Sequence, residues 1–168
     1  LPYAYSISDF NHILALDAFI KGKIVVQDVS SMLVAEVANP KKGDYVMDVC
    51  AAPGGKSTEL GVKLKDSGVL ISNDISYSRC QALLKNLERF GIRNAYVVSE
   101  SPDKLEHYFD QYFDKILIDA PCSGEGMFRK DASLIESWKE KDSSYYVPIQ
   151  KSLTYHRHGK FPVPDTLV

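Results

Sequence analysis

The 168-residue sequence is poor in cysteine and tryptophan and has almost no excess of either charge, and each shortage closes off a class of protein. Its three cysteines, Cys50, Cys80 and Cys122, lie far apart with no pair at metal-ligand or redox-motif spacing. Neither a disulfide framework nor a zinc site is expected, and no metal is assigned. Twenty Lys and Arg face twenty-two Asp and Glu, a formal net charge of −2, which is not the basic footprint of a self-sufficient nucleic-acid binder. A nucleic-acid role needs a local patch or a further domain. No apolar stretch approaches the roughly 20 residues of a membrane helix, and the N-terminus lacks the basic-then-apolar layout of a signal peptide. The default compartment is the cytoplasm. Internal repeats are absent, and the chain opens at Leu1 rather than Met, which suggests a processed product or an excised fragment.

What is present is a globular composition, 45% hydrophobic, 25% charged and 11% aromatic, in a length that suits one packed core. Residues 1–40 read as a lead-in packed on that core. It begins with a helix from Ser8 to about Phe19, continues through the strand-like run Lys23 to Gln27, and closes with a helix from Asp28 to Ala38 stopped by Asn39-Pro40. Residues 41–153 form the core. Tyr45 to Cys50 is too apolar for a surface strand and reads as a buried parallel one. A Gly-rich turn, a helix from Gly55 to Lys65 and the strand Gly68 to Asp74 complete a βαβ unit. The helix Ser78 to Phe90 and the strand Ala95 to Ser99 follow, then a polar connection around Pro102 and Tyr108 and a fourth apolar run, Asp114 to Asp119. This alternation predicts an α/β fold with a doubly wound, mostly parallel sheet. Helices are expected near Asp131 to Lys139 and Ser144 to Leu153, and residues 154–168 read as an irregular tail.

In such sheets ligands sit beyond the carboxyl ends of the strands, so Cys50 to Ser57, Asp74, Ser99 to Ser101 and Asp119 to Gly126 carry the functional information. Ala51-Ala-Pro-Gly-Gly55 offers small side chains and a tight bend that let backbone approach a ligand closely. An acid at Asp74 can hold both hydroxyls of a ribose, or cap the next helix. Two nucleotide chemistries suit this layout. Gly55-Lys56-Ser57 resembles the end of a phosphate-binding P-loop, and Lys115 to Asp119 the strand and acid that hold Mg²⁺ in NTPases. That reading fails at Cys50, where the P-loop pattern requires glycine, and it leaves Asp74 and Pro121-Cys122 without a role.

Asp48-Val-Cys-Ala-Ala-Pro-Gly-Gly-Lys-Ser57, Asn73-Asp74 and Asp119-Ala-Pro-Cys-Ser-Gly-Glu-Gly126 together resemble the RNA cytosine-5 methyltransferase family, the RsmF-like and RsmB-like enzymes that use S-adenosylmethionine. Gln27 to Val34 also resembles the family's segment before the first strand, so the likeness runs from about Pro2 to Leu153. It implies a Rossmann-like class I methyltransferase sheet, incomplete after the fourth core strand, and an RNA substrate, ribosomal rather than transfer RNA. It also implies that Cys50, Ala51, Ala52, Pro53, Gly54, Gly55 and Lys56 cradle the cofactor, that Asp74 binds the ribose, and that Arg79 lies against the cofactor. Asp119 would stand between cofactor and base. Glu100 or Ser101 would take the place of the acid near the adenine.

The same resemblance assigns Asp119 to the N3 and N4 edge of cytosine and gives Lys56 a place beside that acid or the base. A strand-end cap at Asp119 and a solvated side chain at Lys56 are the plainer alternatives. The cysteine matching Cys122 is mainly linked to product release in this family, whereas the attacking thiol sits in a Thr-Cys motif that the 168 residues do not contain. The expectation is a truncated member that keeps the cofactor half of the site, with attack by Cys122 as the alternative; a non-catalytic module that scaffolds RNA is a third reading. An incomplete sheet edge at Ile116-Leu-Ile118 predicts self-association. Gly126-Met-Phe-Arg-Lys130 is a weak phosphate or stacking candidate, and His156, Arg157 and His158 read as tail.

Overall fold

The computed structural model describes residues 1–9, 11–128 and 133–154. Its centre is a sheet of four parallel strands, β1 (Tyr45–Asp48), β2 (Val69–Asn73), β3 (Ala95–Val98) and β4 (Lys115–Leu117), in the spatial order β3-β2-β1-β4. The register sets Val46 against Leu70 and Lys115, and Asp48 against Ser72 and Leu117. Pairing outlasts the ladder, because Val49 N–H donates to the Leu117 carbonyl at 3.0 Å and Ala51 N–H to the Asn73 carbonyl at 2.7 Å.

Strand side chains alternate between faces, so β1 feeds two cores. Val46, Leu70 and Leu117 join Ala35, Leu60, Leu64, Leu83 and Leu87 on one face. There they are covered by α2 (Val29–Ala38), α3 (Gly55–Leu64) and α4 (Tyr77–Arg89). Met47, Ile71 and Ile116 join Leu105, Phe113 and Leu153 on the other, beneath α5 (Pro102–Tyr108) and α7 (Ser143–Thr154). The segment expected to be a polar connection is thus a helix. Pro102 stands at its first position, where the missing N–H costs nothing, and Leu105 is its single buried side chain. One apolar residue in a polar stretch gives no periodic signal, yet the second face of the sheet needs that cover.

The lead-in also departs from its sequence pattern. Among the described residues of the stretch from Ser8 to Phe19, only a 3-10 turn, Ile13–Ala15, and the single-turn α1 (Asp17–Ile20) form. Leu14 and Leu16 remain exposed, so the apolar positions lack the packed face that sustains a helix. Residues 24–27 pair with no strand in the described sheet. They follow a docking point at the far end of α4, where the Arg89 guanidinium lies 4.8 Å from the Phe19 ring and 4.7 Å from that of Phe90. The α2 expectation holds to within a residue, and Asn39 ends that helix in a left-handed conformation, φ 43°. Beyond the sheet, α6 (Ser133–Glu140) brings Trp138 to donate from Nε1 to Glu125 at 2.8 Å. No helix among the described residues is long and apolar enough to cross a membrane. Of the irregular tail expected over residues 154–168, Thr154 instead ends α7, and residues 155–168 lie outside the described residues, as do Arg129 and Lys130.

Gly61 shows how closely α3 packs. A Cβ there would come within 2.6 Å of Ile92 Cγ2. Gly61→Val is expected to lower stability by about 1–3 kcal/mol through overpacking, read as a reduced urea midpoint with an unchanged slope.

Candidate functional site

The site grows from the end of β1. Asp48 is 1% exposed in the middle of the sheet. Its Oδ2 accepts the Ser57 hydroxyl at 2.7 Å, and Ser57 Oγ lies 2.9 Å from Ser72 Oγ, so a buried polar chain joins β1, the start of α3 and β2. Burial, partly offset by the Ser57 bond, pushes the Asp48 carboxyl up to about 7. The motif quoted from the sequence contains Asp48 and Ser57, but nothing in it marked this chain. The available signal was polar residues at interior positions of apolar strands.

The turn Cys50 to Gly54 leaves the strand through a cis Ala52-Pro53 peptide. Gly54 then takes φ +109°, and a Cβ there would meet Leu83 Cδ1 at 2.9 Å, so only glycine serves. Helix α4 grips the turn from below. Arg79 Nη2 donates to the Ala52 carbonyl and Asn86 Nδ2 to the Pro53 carbonyl, both at 2.7 Å. Thr58 closes the turn from α3, its N–H and hydroxyl reaching the Gly54 carbonyl at 2.8 and 2.6 Å. The result is a fixed bend of small residues, with the first turn of α3 at its end.

Asp74 follows β2 and is 2% exposed. Oδ1 accepts the Ser76 N–H at 3.0 Å and Oδ2 pairs with Arg79 Nη1 at 3.1 Å. Arg79 therefore bridges the Asp74 carboxylate and the turn. Asp74 also supports the entry to α4, so its capping alternative is part of its local geometry. Past β3, the Glu100 carboxylate is held by Lys104 at 2.8 Å, while the Ser101 hydroxyl makes no cap bond to α5.

At the end of β4, Asp119 is half exposed and its Oδ2 lies 2.6 Å from Lys56 Nζ, which reaches across from α3. The pair spans the gap between the β1 turn and the β4 loop. Cys122 follows, exposed, and the preceding Pro121 carbonyl accepts from Gln150 Nε2 at 3.0 Å. The other thiols are differently placed. Burial, with Asp48, Asp74 and Asp119 nearby, pushes Cys50 up to about 11 and keeps it protonated. Cys80 is buried and donates to the Asp74 and Val98 carbonyls at 3.2 and 3.4 Å. Cys50, the 51–55 bend, Lys56, Asp74, Arg79 and Asp119 thus gather at the carboxyl end of the sheet, with Glu100 and Ser101 on its β3 side. Tyr145 and Tyr146 pack edge to face at 5.1 Å.

Over residues 35–158 the sequence matches the family described as 16S rRNA methyltransferase RsmB/F. It is 36% identical over 139 residues to a 26S rRNA (cytosine-C(5))-methyltransferase, nsun-1, of Caenorhabditis elegans, covering 83% of this chain and 21% of that protein. To the ribosomal RNA small subunit methyltransferase F of Vibrio parahaemolyticus it is also 36% identical, over 79% of this chain and 28% of the relative. Among solved structures, NSun6 from Pyrococcus horikoshii with SFG superposes with a TM-score of 0.63 at 36% identity, over 68% of this chain and 30% of that one. The chain thus spans about a quarter of the length of these relatives. These likenesses lend no support to the NTPase alternative.

One buried carboxyl, Asp48, and one half-buried, Glu59, make stability depend on pH. Asp48 is held up to about 7, as is Glu59, also chiefly by burial. The fold therefore retains protons that an unfolded chain, with carboxyls near about 4, has released. Their stabilising contribution is fully present below about pH 4 and is lost as pH rises to about 7. Asp48→Asn keeps an acceptor for Ser57 but buries no charge. Denaturant midpoints at pH 5 and pH 8 should lie closer together in this variant than in the wild type; a wider gap would refute the assignment.

Proposed function

The chain belongs to the 16S rRNA methyltransferase RsmB/F family, and from that premise we propose that its strand-end crevice binds S-adenosylmethionine in the service of RNA cytosine-5 methylation. The observation that carries this reading is the bend of small residues fixed by Arg79 and Asn86 beside a buried acid at the tip of β2. The residues suit the ligand. Cys50 to Gly55 give close backbone approach to the methionine and sulfonium end, and Asp74 offers a carboxylate to the ribose. Solved NSun6 from Pyrococcus horikoshii carries SFG, an analogue of this cofactor, which supports the same ligand here.

When bound, the cofactor supplies an electrophilic methyl group. The chain's own part is to place acids and donors around the acceptor base. Cytosine C5 is a weak nucleophile until a thiolate adds to C6 and N3 receives a hydrogen bond or proton, which turns the ring into an enamine. Asp119, half exposed and beside the cofactor bend, is the group proposed for the N3 and N4 edge. The Lys56 ammonium at 2.6 Å holds it in place between the β1 turn and the β4 loop. Neither Cys50, kept protonated, nor the buried Cys80 suits the thiolate role, which leaves Cys122 as the exposed thiol beside the acid.

The family's Thr-Cys pair is not among the 168 residues. We therefore propose that this polypeptide alone binds cofactor without completing transfer, and that its substrate class is ribosomal RNA in the cytoplasm. Pairing with a second copy along β4, last in the described sheet order, belongs to the same proposal.

Calorimetry with S-adenosylmethionine and S-adenosylhomocysteine tests the cofactor reading. Asp74→Asn should weaken both by about tenfold or more, the worth of a charged hydrogen bond; no binding to the wild type at millimolar concentration would overturn it. Incubation with radiolabelled cofactor and rRNA should transfer no methyl group. Transfer that disappears in Cys122→Ala would instead make that thiol the nucleophile.

A further inference from the structure

Asn73 ends β2 in the middle of the crevice wall and is 2% exposed. Its side chain makes three hydrogen bonds, none of them within its own strand. Nδ2 donates to the Val49 carbonyl at 2.9 Å and to the Glu100 carbonyl at 3.2 Å, and Oδ1 accepts the Glu100 N–H at 2.9 Å. Its backbone carbonyl takes the Ala51 N–H at 2.7 Å. A single residue thus ties the start of the β1 turn to the loop that follows β3. An amide is the side chain that suits this task, since it offers two donors and a carbonyl acceptor without charge.

Strand pairing alone does not fix the β3 loop. The β2–β3 ladder ends at the pair Asn73 and Val98, with one more backbone bond from Asp74 N–H to the Val98 carbonyl at 3.3 Å. Beyond it, the bonds to Glu100 from the β2 side are those of the Asn73 amide, joined by a longer 3.4 Å contact from the Ser99 hydroxyl to the Ile75 carbonyl. The Glu100 carboxylate is turned to Lys104, so it is the loop backbone that Asn73 holds in place.

The sheet order then states where a ligand's base must go. A molecule with its sulfonium at the β1 turn and its ribose at Asp74 runs from β1 to β2, and its next neighbour along the sheet is the end of β3. Glu100 and Ser101 are the residues that meet it there. We propose that Asn73 is a positioning residue that sets the base selectivity of this site by fixing the Glu100–Ser101 wall relative to Asp74. The inference rests on the cofactor reading above. Asn73 itself is too buried to touch the base, so its effect travels through the loop it holds.

The test compares S-adenosylhomocysteine with its S-inosyl counterpart, which carries a carbonyl in place of the adenine amino group. Wild type should prefer the adenosyl form by about tenfold, the worth of a hydrogen bond gained against one left unmade. Asn73→Val removes all three braces and should narrow that preference to less than about threefold. Asn73→Ser, a smaller polar replacement for use if the valine variant does not fold, should fall between the two. Leu64→Ala, a core truncation at the far end of α3, serves as the control for lost stability alone and should keep the full preference. A folded Asn73 variant with the wild-type preference would overturn the inference while leaving the cofactor reading intact, as would a wild type that binds both ligands equally. A wild type that binds neither would overturn the cofactor reading and this inference with it.

Discussion

A carboxyl group removed from water at the centre of a sheet must find polar partners, and everything at the crevice is arranged around the partners that Asp48 finds. Ser57, from the first turn of α3, donates to it and in turn meets Ser72 of β2, so the buried chain ties the start of the helix to both strands. The intervening bend has little freedom left. Its carbonyls are taken by Arg79, Asn86 and Thr58, and its glycine is pressed on Leu83. Preorganisation of this kind means that a ligand meets a surface already shaped, at little ordering cost on binding.

The charges around that bend alternate across the crevice. Arg79 stands against Asp74 on the β2 side and Lys56 against Asp119 on the β4 side, with the protonation-prone Asp48 buried beneath. Asp74 and Asp119 thus each have a cation of their own, while Asp48 has the Ser57 hydroxyl. A group that bears positive charge enters a region whose acids are neutralised in pairs, and its net attraction depends on how far it displaces Arg79 or Lys56 from those partners.

Strand positions were legible because buried parallel strands are near-continuous apolar runs, as Val46-Met47 and Ile116-Leu117 show. The bend was legible because small residues and paired glycines at a strand end leave few other conformations. Three things were not. Helix α5 has one buried residue and therefore no period to read. The lead-in carries helical spacing without a face to pack on, and local pattern cannot supply that face. The roles of Asn73, Asn86 and Ser57 depend on which loop or strand lies beside them, which is set by sheet order rather than by neighbours in sequence. The four parallel strands read from the sequence are those of the described sheet, whereas the tail reading, apart from Thr154 at the end of α7, falls on residues that the structure does not describe.

The unequal surroundings of the three thiols have a practical side. One sulfur is locked in a carbonyl cage, a second is held in its unreactive form chiefly by burial, with carboxylates nearby, and the third faces solvent two peptide bonds past the Asp119-Ala120 step. A maleimide dye applied to the native protein therefore has one address, at the rim of the crevice, and its emission would report arrivals there without any engineered handle.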